Sequence, residues 1–123
     1  MFSVWVRLQV LEDQVEAFER AIAANAAATI ANEPGCVYFD VVKLAEPGNW
    51  YGFYEVYRDA DAFYAEHRGA AHYSDWQRAV RQTVVPGTQT ITVGERTTAA
   101  QGTGVLGGFG ADDAEHRGQG GLA

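Results

Sequence analysis

The chain has 123 residues, 47% of them apolar and 20% charged, which fits one globular domain with a modest core. Nine basic residues against sixteen acidic ones give a net charge of −7, and this argues against a nucleic-acid groove or an anionic membrane surface, both of which need clustered Lys and Arg. No stretch approaches the ~20 apolar residues of a membrane span, and Cys36, the only cysteine, leaves no internal disulfide and no C-x-x-C site.

Residues 2–10 alternate, with Phe2, Val4, Val6, Leu8 and Val10 on one face and Ser3, Trp5, Arg7 and Gln9 on the other, which predicts a strand. Met1–Arg7 lacks the basic start and apolar run of a signal peptide. Together with the lone cysteine, this leads us to expect a cytoplasmic protein. From Glu12 the period becomes helical, placing Val15, Phe18, Ile22, Ala26, Thr29 and Ile30 on one stripe. Acidic Glu12, Asp13 and Glu16 favour the helix start, and Pro34-Gly35 stops the helix near Asn32. Residues 36–44 and 49–57 are rich in β-branched and aromatic side chains and flank the turn Ala45-Glu46-Pro47-Gly48, so a β-hairpin is expected. Asp59 caps a short helix at 60–67, Gly69 interrupts it, and a second helix spans about 71–84 with Tyr73, Trp76 and Val80 on one face. Pro86-Gly87 ends that helix, and Thr88–Glu95 reads as a final strand.

The order β-α-β-β-α-β is the ferredoxin-like α+β pattern, an antiparallel sheet with helices on one face. The sheet carries more large apolar groups than one helical layer can cover, Trp5, Tyr38 and Tyr54 among them, so its open face is expected to be buried in a homodimer. The domain is placed at 1–96, and 97–123 reads as a glycine-rich tail. Gly102-Thr-Gly104-Val-Leu-Gly107 matches the G-x-G-x-x-G dinucleotide pattern, but no βαβ unit surrounds it. Val105, Leu106 and Phe109 are the side chains that could anchor the tail over a cleft.

The chemistry-bearing residues gather around the second helical region. His67 lies four residues after Phe63 and so faces inward with it. It is either a buried structural histidine or a base whose ordinary pKa of about 6.5 suits neutral pH. His72 opens the next helix as a second cleft residue or a cap, five positions from His67 rather than the four of a zinc-binding pair. Glu66 and Asp75 do not complete a defined ligand set, so no metal site is expected. Glu55, mid-strand among aromatic residues, needs a partner: a histidine across the cleft, or Arg58 or Arg7. Asn25, at the edge of the apolar stripe, is either a polar flank residue or an amide aimed at a substrate oxygen. Ser74 and Cys36 lack the neighbours of an activated nucleophile.

Taken in order, Asn25, Glu33-Pro-Gly-Cys36, Phe39-Asp-Val41, Tyr54-Glu-Val-Tyr57, Asp59 with Ala62, His67 and His72-Tyr73 resemble the antibiotic biosynthesis monooxygenase domain family over roughly residues 2–95. The closest likeness is to the branch holding quinol monooxygenases and a quorum-signal phosphohydroxypentanedione isomerase. The resemblance implies a homodimer of dimeric α/β-barrel type that works without flavin or metal on a small aromatic or dione substrate. Haem-degrading relatives place their ligating histidine where this chain has Trp76, so haem is not expected. The expected reaction is cofactor-independent monooxygenation of a quinol or polycyclic phenol with O₂. In it His67 or His72 takes a phenolic proton, Asn25 binds the oxyanion, Glu55 orients the histidine, and Tyr38, Phe63, Tyr73 and Trp76 hold the ring. An isomerase working through an enediol, with Lys43, Arg7 or Arg68 for a phosphate, and a non-catalytic dimeric binding module are the alternatives.

Overall fold

The computed structural model describes residues 1–103. Strand β1 (Phe2–Gln9) leads through a 3₁₀ turn, Glu12–Gln14, into helix α1 (Val15–Asn32). Strands β2 (Cys36–Lys43) and β3 (Trp50–Tyr57) form a hairpin, followed by a π-helix at Ala62–His67, helix α2 (Tyr73–Thr83) and strand β4 (Thr90–Glu95). The sheet order is β2-β3-β1-β4 and every neighbouring pair is antiparallel, which is the ferredoxin-like arrangement. Residues 96–102 form no helix or strand. The tail from Gly104, with Val105, Leu106 and Phe109, lies outside the described residues.

Alternation decides which face of the sheet is core. Phe2, Val4, Val6 and Leu8 are all buried, and they pair in register with Tyr57, Glu55, Phe53 and Tyr51 of β3. On that same face α1 lays down Phe18, Ile22, Asn25 and Thr29. Phe18 meets Tyr51 and Phe53 at ring-centroid distances of 4.8 and 6.2 Å. Each such buried apolar side chain contributes about 1.5–3 kcal/mol, and the interlock fixes the rotation of α1. That rotation differs from the expected stripe. Ile30 is 50% exposed, and Asn25 stands inside the buried column instead of at its edge. The column Phe18-Ile22-Asn25-Thr29 follows three- and four-residue steps, and it turns Ile30 away from the sheet.

The hairpin closes with Leu44 N–H bonded to the carbonyl of Trp50 at 2.9 Å. Gly48 and Asn49 take φ of 107° and 64° there, a left-handed pair that glycine and asparagine tolerate. The opposite face of the sheet carries Trp5, Arg7, Tyr38, Trp50 and Tyr54. Its aromatic groups touch one another: Tyr38 and Tyr54 pack edge to face at 6.2 Å, and the Arg7 guanidinium lies 4.0 Å over Trp50. The Trp5 indole passes directly over Gly52, where a Cβ would meet it at 2.4 Å. No described helix covers this face.

Candidate active site

The π-helix and the start of α2 bring two histidines to the C-terminal end of α1. The Asp59 carboxylate accepts the Ala62 N–H at 2.9 Å and starts the π-helix. His67, at its end, turns inward and is 5% exposed, its ring stacked on Phe63 at 5.8 Å. Gly69 N–H and Ala70 N–H bond back to Ala65 and His67 at 3.1 Å each, and the chain turns so that His72 approaches from the other side.

Between the two rings lies Glu33, the residue that ends α1. Its carboxylate accepts His67 Nδ1–H at 2.9 and 3.1 Å and His72 Nε2–H at 2.6 Å. His72 Nδ1 is 3.1 Å from the amide oxygen of Asn25. Both nitrogens of His72 are therefore engaged, whereas Nε2 of His67 has no protein partner among the described residues. His67 lines a cavity of about 50 Å³. Asn25, Glu55, Phe63, Tyr73 and Trp76 share its wall, with Val6, Phe39, Phe53, Arg68, Gln89 and Ile91 completing it. Burial pushes the His67 imidazolium below its ordinary pKa, and the Glu33 charge and hydrogen bond pull in the opposite direction. The result is a ring kept neutral near pH 7, its proton fixed on Nδ1 and its lone pair on Nε2.

Glu55 is the carboxyl that lines the cavity, and it is 4% exposed. Burial pushes it up to about 7, with the Tyr57 hydrogen bond pulling down and the Glu33 charge adding to the rise. Its partner is the Tyr57 hydroxyl, which donates at 2.6 Å. The expected histidine or arginine partner is a correction: Arg58 pairs with Glu66 and Asp59, Arg7 with Glu46, and His67 with Glu33. Tyr38 is a second correction. Bulged β2 turns its side chain to the open face beside Tyr54, so it does not line the cavity.

Asn25, Glu55, Phe63, His67, Tyr73 and Trp76 meet at one cavity, and His72 joins them through Asn25 and Glu33. In the sequence Glu33 stands only as part of the Glu33-Pro-Gly-Cys36 turn, with no chemical role assigned to it. Its signal was local: a carboxylate at a helix C-terminus opposes the helix dipole, and burial there demands a cationic or hydrogen-bonding partner.

The antiparallel sheet with its helices on one face places the chain in the ferredoxin-like class of α+β folds. The antibiotic biosynthesis monooxygenase family model matches residues 1–79, and the chain belongs to that family. A Nitrosomonas europaea protein bearing that family name provisionally is 26% identical, with a TM-score of 0.71 over 80% of this chain and 100% of its own. One from Caulobacter crescentus CB15, also provisionally named, is 25% identical, with a TM-score of 0.73 over 79% of this chain and 90% of its own. Rv0793 from Mycobacterium tuberculosis is 26% identical, with a TM-score of 0.70 over 81% and 98% of the two chains. No curated protein matches the chain.

Proposed function

We propose that the protein is a cofactor-independent monooxygenase acting on a small quinol or polycyclic phenol, with His67 as its base. The observation that carries this reading is the unpartnered Nε2 of a buried His67 whose Nδ1 is held by Glu33. Nε2 takes the phenolic proton: the O–H bond breaks and an N–H bond forms. The quinolate passes one electron to O₂, and the resulting semiquinone and superoxide combine at a ring carbon. The hydroperoxide then loses water to leave a hydroxylated quinone. One oxygen atom stays in the product, the other leaves as water, and the substrate supplies every electron. Asn25 lines the cavity and is held by His72 at 3.1 Å, which places its amide beside the developing oxyanion. His72 positions Glu33 and Asn25 and does not act as the base.

At about 50 Å³ the cavity holds a few waters as it stands. An aromatic ring enters when Tyr73 and Trp76, both only half-buried, swing outward. The open sheet face with Trp5, Tyr38, Trp50 and Tyr54 is our choice for a homodimer contact. A second reading, proton transfer in a hydroxy-dione through an enediol, draws on two groups of the same cavity. Glu55 is protonated in part near neutrality, and Arg68 offers a cation beside Phe63 at 4.8 Å.

The test is oxygen consumption by the purified, metal-stripped protein across a panel of hydroquinones and polycyclic phenols. Uptake lost in His67→Ala and kept in the surface variant Arg78→Ala supports the base assignment; equal uptake in both sinks it. Silence across the panel, with solvent deuterium entering a hydroxy-dione, moves the assignment to the isomerase.

A further inference from the structure

The cavity beside His67 has a buried end and an open one. His67, Glu55, Asn25 and Phe63 line it from within, whereas Arg68, Gln89 and Ile91, all exposed, mark its open side. The Arg68 guanidinium lies 4.8 Å from the Phe63 ring centroid and 5.3 Å from that of Tyr64, and those two rings meet edge to face at 5.1 Å. Stacking of this kind uses the flat face of the guanidinium and leaves the N–H donors around its edge. Arg7, Arg58 and Arg78 each donate to a carboxylate, whereas Arg68 has no ion pair or side-chain hydrogen bond among the described residues. The same Phe63 ring stacks on His67 at 5.8 Å, so the base and the cation both rest on one side chain.

We propose that Arg68 selects a phenol or quinol bearing a carboxylate on its ring, and binds that carboxylate while the hydroxyl meets His67. The proposal deepens the function read above and rests on this cavity receiving a phenolic ring. Charge fixes the direction of binding. The buried end holds Glu55, with Glu33 behind His67, so an anionic substituent is repelled there and drawn to the guanidinium. The planar fork of a guanidinium meets a carboxylate through two parallel hydrogen bonds. One cation balances a monoanion. A phosphate would bring about two charges beside these carboxyls, and the cavity wall holds no second Lys or Arg among the described residues. The same charge acts on the base. Burial holds the His67 imidazolium low, and Arg68 adds to that effect with His72, against the pull of Glu33. A carboxylate seated on Arg68 offsets its charge and eases proton uptake at Nε2, so the bound acid promotes its own deprotonation.

The experiment is anaerobic titration calorimetry of the protein at neutral pH with gentisate, a hydroquinone bearing one carboxylate, and with its neutral amide. Gentisate is expected to bind about tenfold tighter than the amide, the effect of one hydrogen-bonded contact to a charged group. General attraction cannot produce that preference, because the net charge of −7 repels anions. In Arg68→Gln the preference is lost. An amide that binds the unsubstituted protein as well as gentisate does, or binding of neither, overturns the proposal, and this comparison needs no variant. A preference that survives Arg68→Gln overturns it too. With oxygen absent, the result does not depend on turnover. Gentisate-selective binding without oxygen uptake in air sinks the monooxygenase and leaves the carboxylate contact standing, so the two failures are told apart.

Discussion

The Glu33 carboxylate lies 2.9 Å from Nδ1 of His67, and each residue is 5% exposed. A buried carboxylate is costly unless its oxygens are bonded. Here one oxygen is shared with His67 and the other is bonded mainly to His72. The pair thus fixes the tautomer of His67, and His72 satisfies the second carboxylate oxygen. It joins the end of α1 to the end of the π-helix, elements 34 residues apart in sequence.

Replacing Glu33 tests that pair in two ways. Glu33→Ala leaves two histidines facing an emptied buried site, and unfolding in urea is expected to show a loss of about 3–5 kcal/mol. Glu33→Gln keeps the shape and removes the charge, so kcat is expected to fall by about 10²-fold or more. The carboxylate raises the His67 pKa, so its removal moves the acid limb of the pH–rate profile to lower pH. A profile that keeps its acid limb in place would show that Glu33 has only a structural role.

Glu55 gives the fold a pH dependence of definite sign. Its carboxyl rises from 4.5 to about 7 on folding. Below about 4.5 both states are protonated; between 4.5 and 7 the unfolded chain ionises first, and stability falls as pH rises. The cost above pH 7 is on the order of 3 kcal/mol, at 1.36 kcal/mol per pKa unit. Glu55→Gln is expected to remove it, raising the melting temperature more at pH 8 than at pH 5. His67 acts in the opposite sense: its lowered pKa withdraws stability as pH falls below about 6.5. Equal shifts at the two pH values would contradict the assignment to Glu55.

Tyr57 holds that carboxyl. Its hydroxyl donates to Glu55 at 2.6 Å and pulls the Glu55 pKa down. Tyr57→Phe therefore costs about 1–3 kcal/mol for the unsatisfied buried group and moves the midpoint of the Glu55 titration to higher pH. Urea denaturation across a pH series reads both effects at once.

The strands and helices were legible because each rests on a local pattern. Phe2 to Leu8 alternate without a break, Pro34-Gly35 and Pro86-Gly87 mark helix ends, and the inward turn of His67 follows from its spacing to Phe63. The contacts of the site depend on pairings that no window of sequence contains. Glu33 meets His67 and His72 only because α1 and the π-helix end at the same corner, and Glu55 chooses Tyr57 because β3 has both side chains on one face. Tyr38 shows the limit of alternation: a register shift between Cys36 and Tyr38 moves its side chain to the other face of the sheet.

That other face supplies the last prediction. Trp5 lies over Gly52 so closely that a Cβ there would sit 2.4 and 2.6 Å from its ring carbons. Gly52→Ala must displace the indole. Trp5 is only partly buried, so the ring moves outward instead of crushing the core, at a cost of about 1–3 kcal/mol. If two copies pair through this face, the displaced ring obstructs the partner, and Tyr54→Arg adds a charge where the aromatic groups meet. Sedimentation velocity is expected to show a dimer for the unsubstituted protein, a weakened dimer for Gly52→Ala and a monomer for Tyr54→Arg. The Tyr54→Arg chain should keep its near-ultraviolet circular dichroism apart from the local aromatic change. A monomeric unsubstituted protein would show instead that the aromatic face meets solvent, and would rule out any site that needs a second copy.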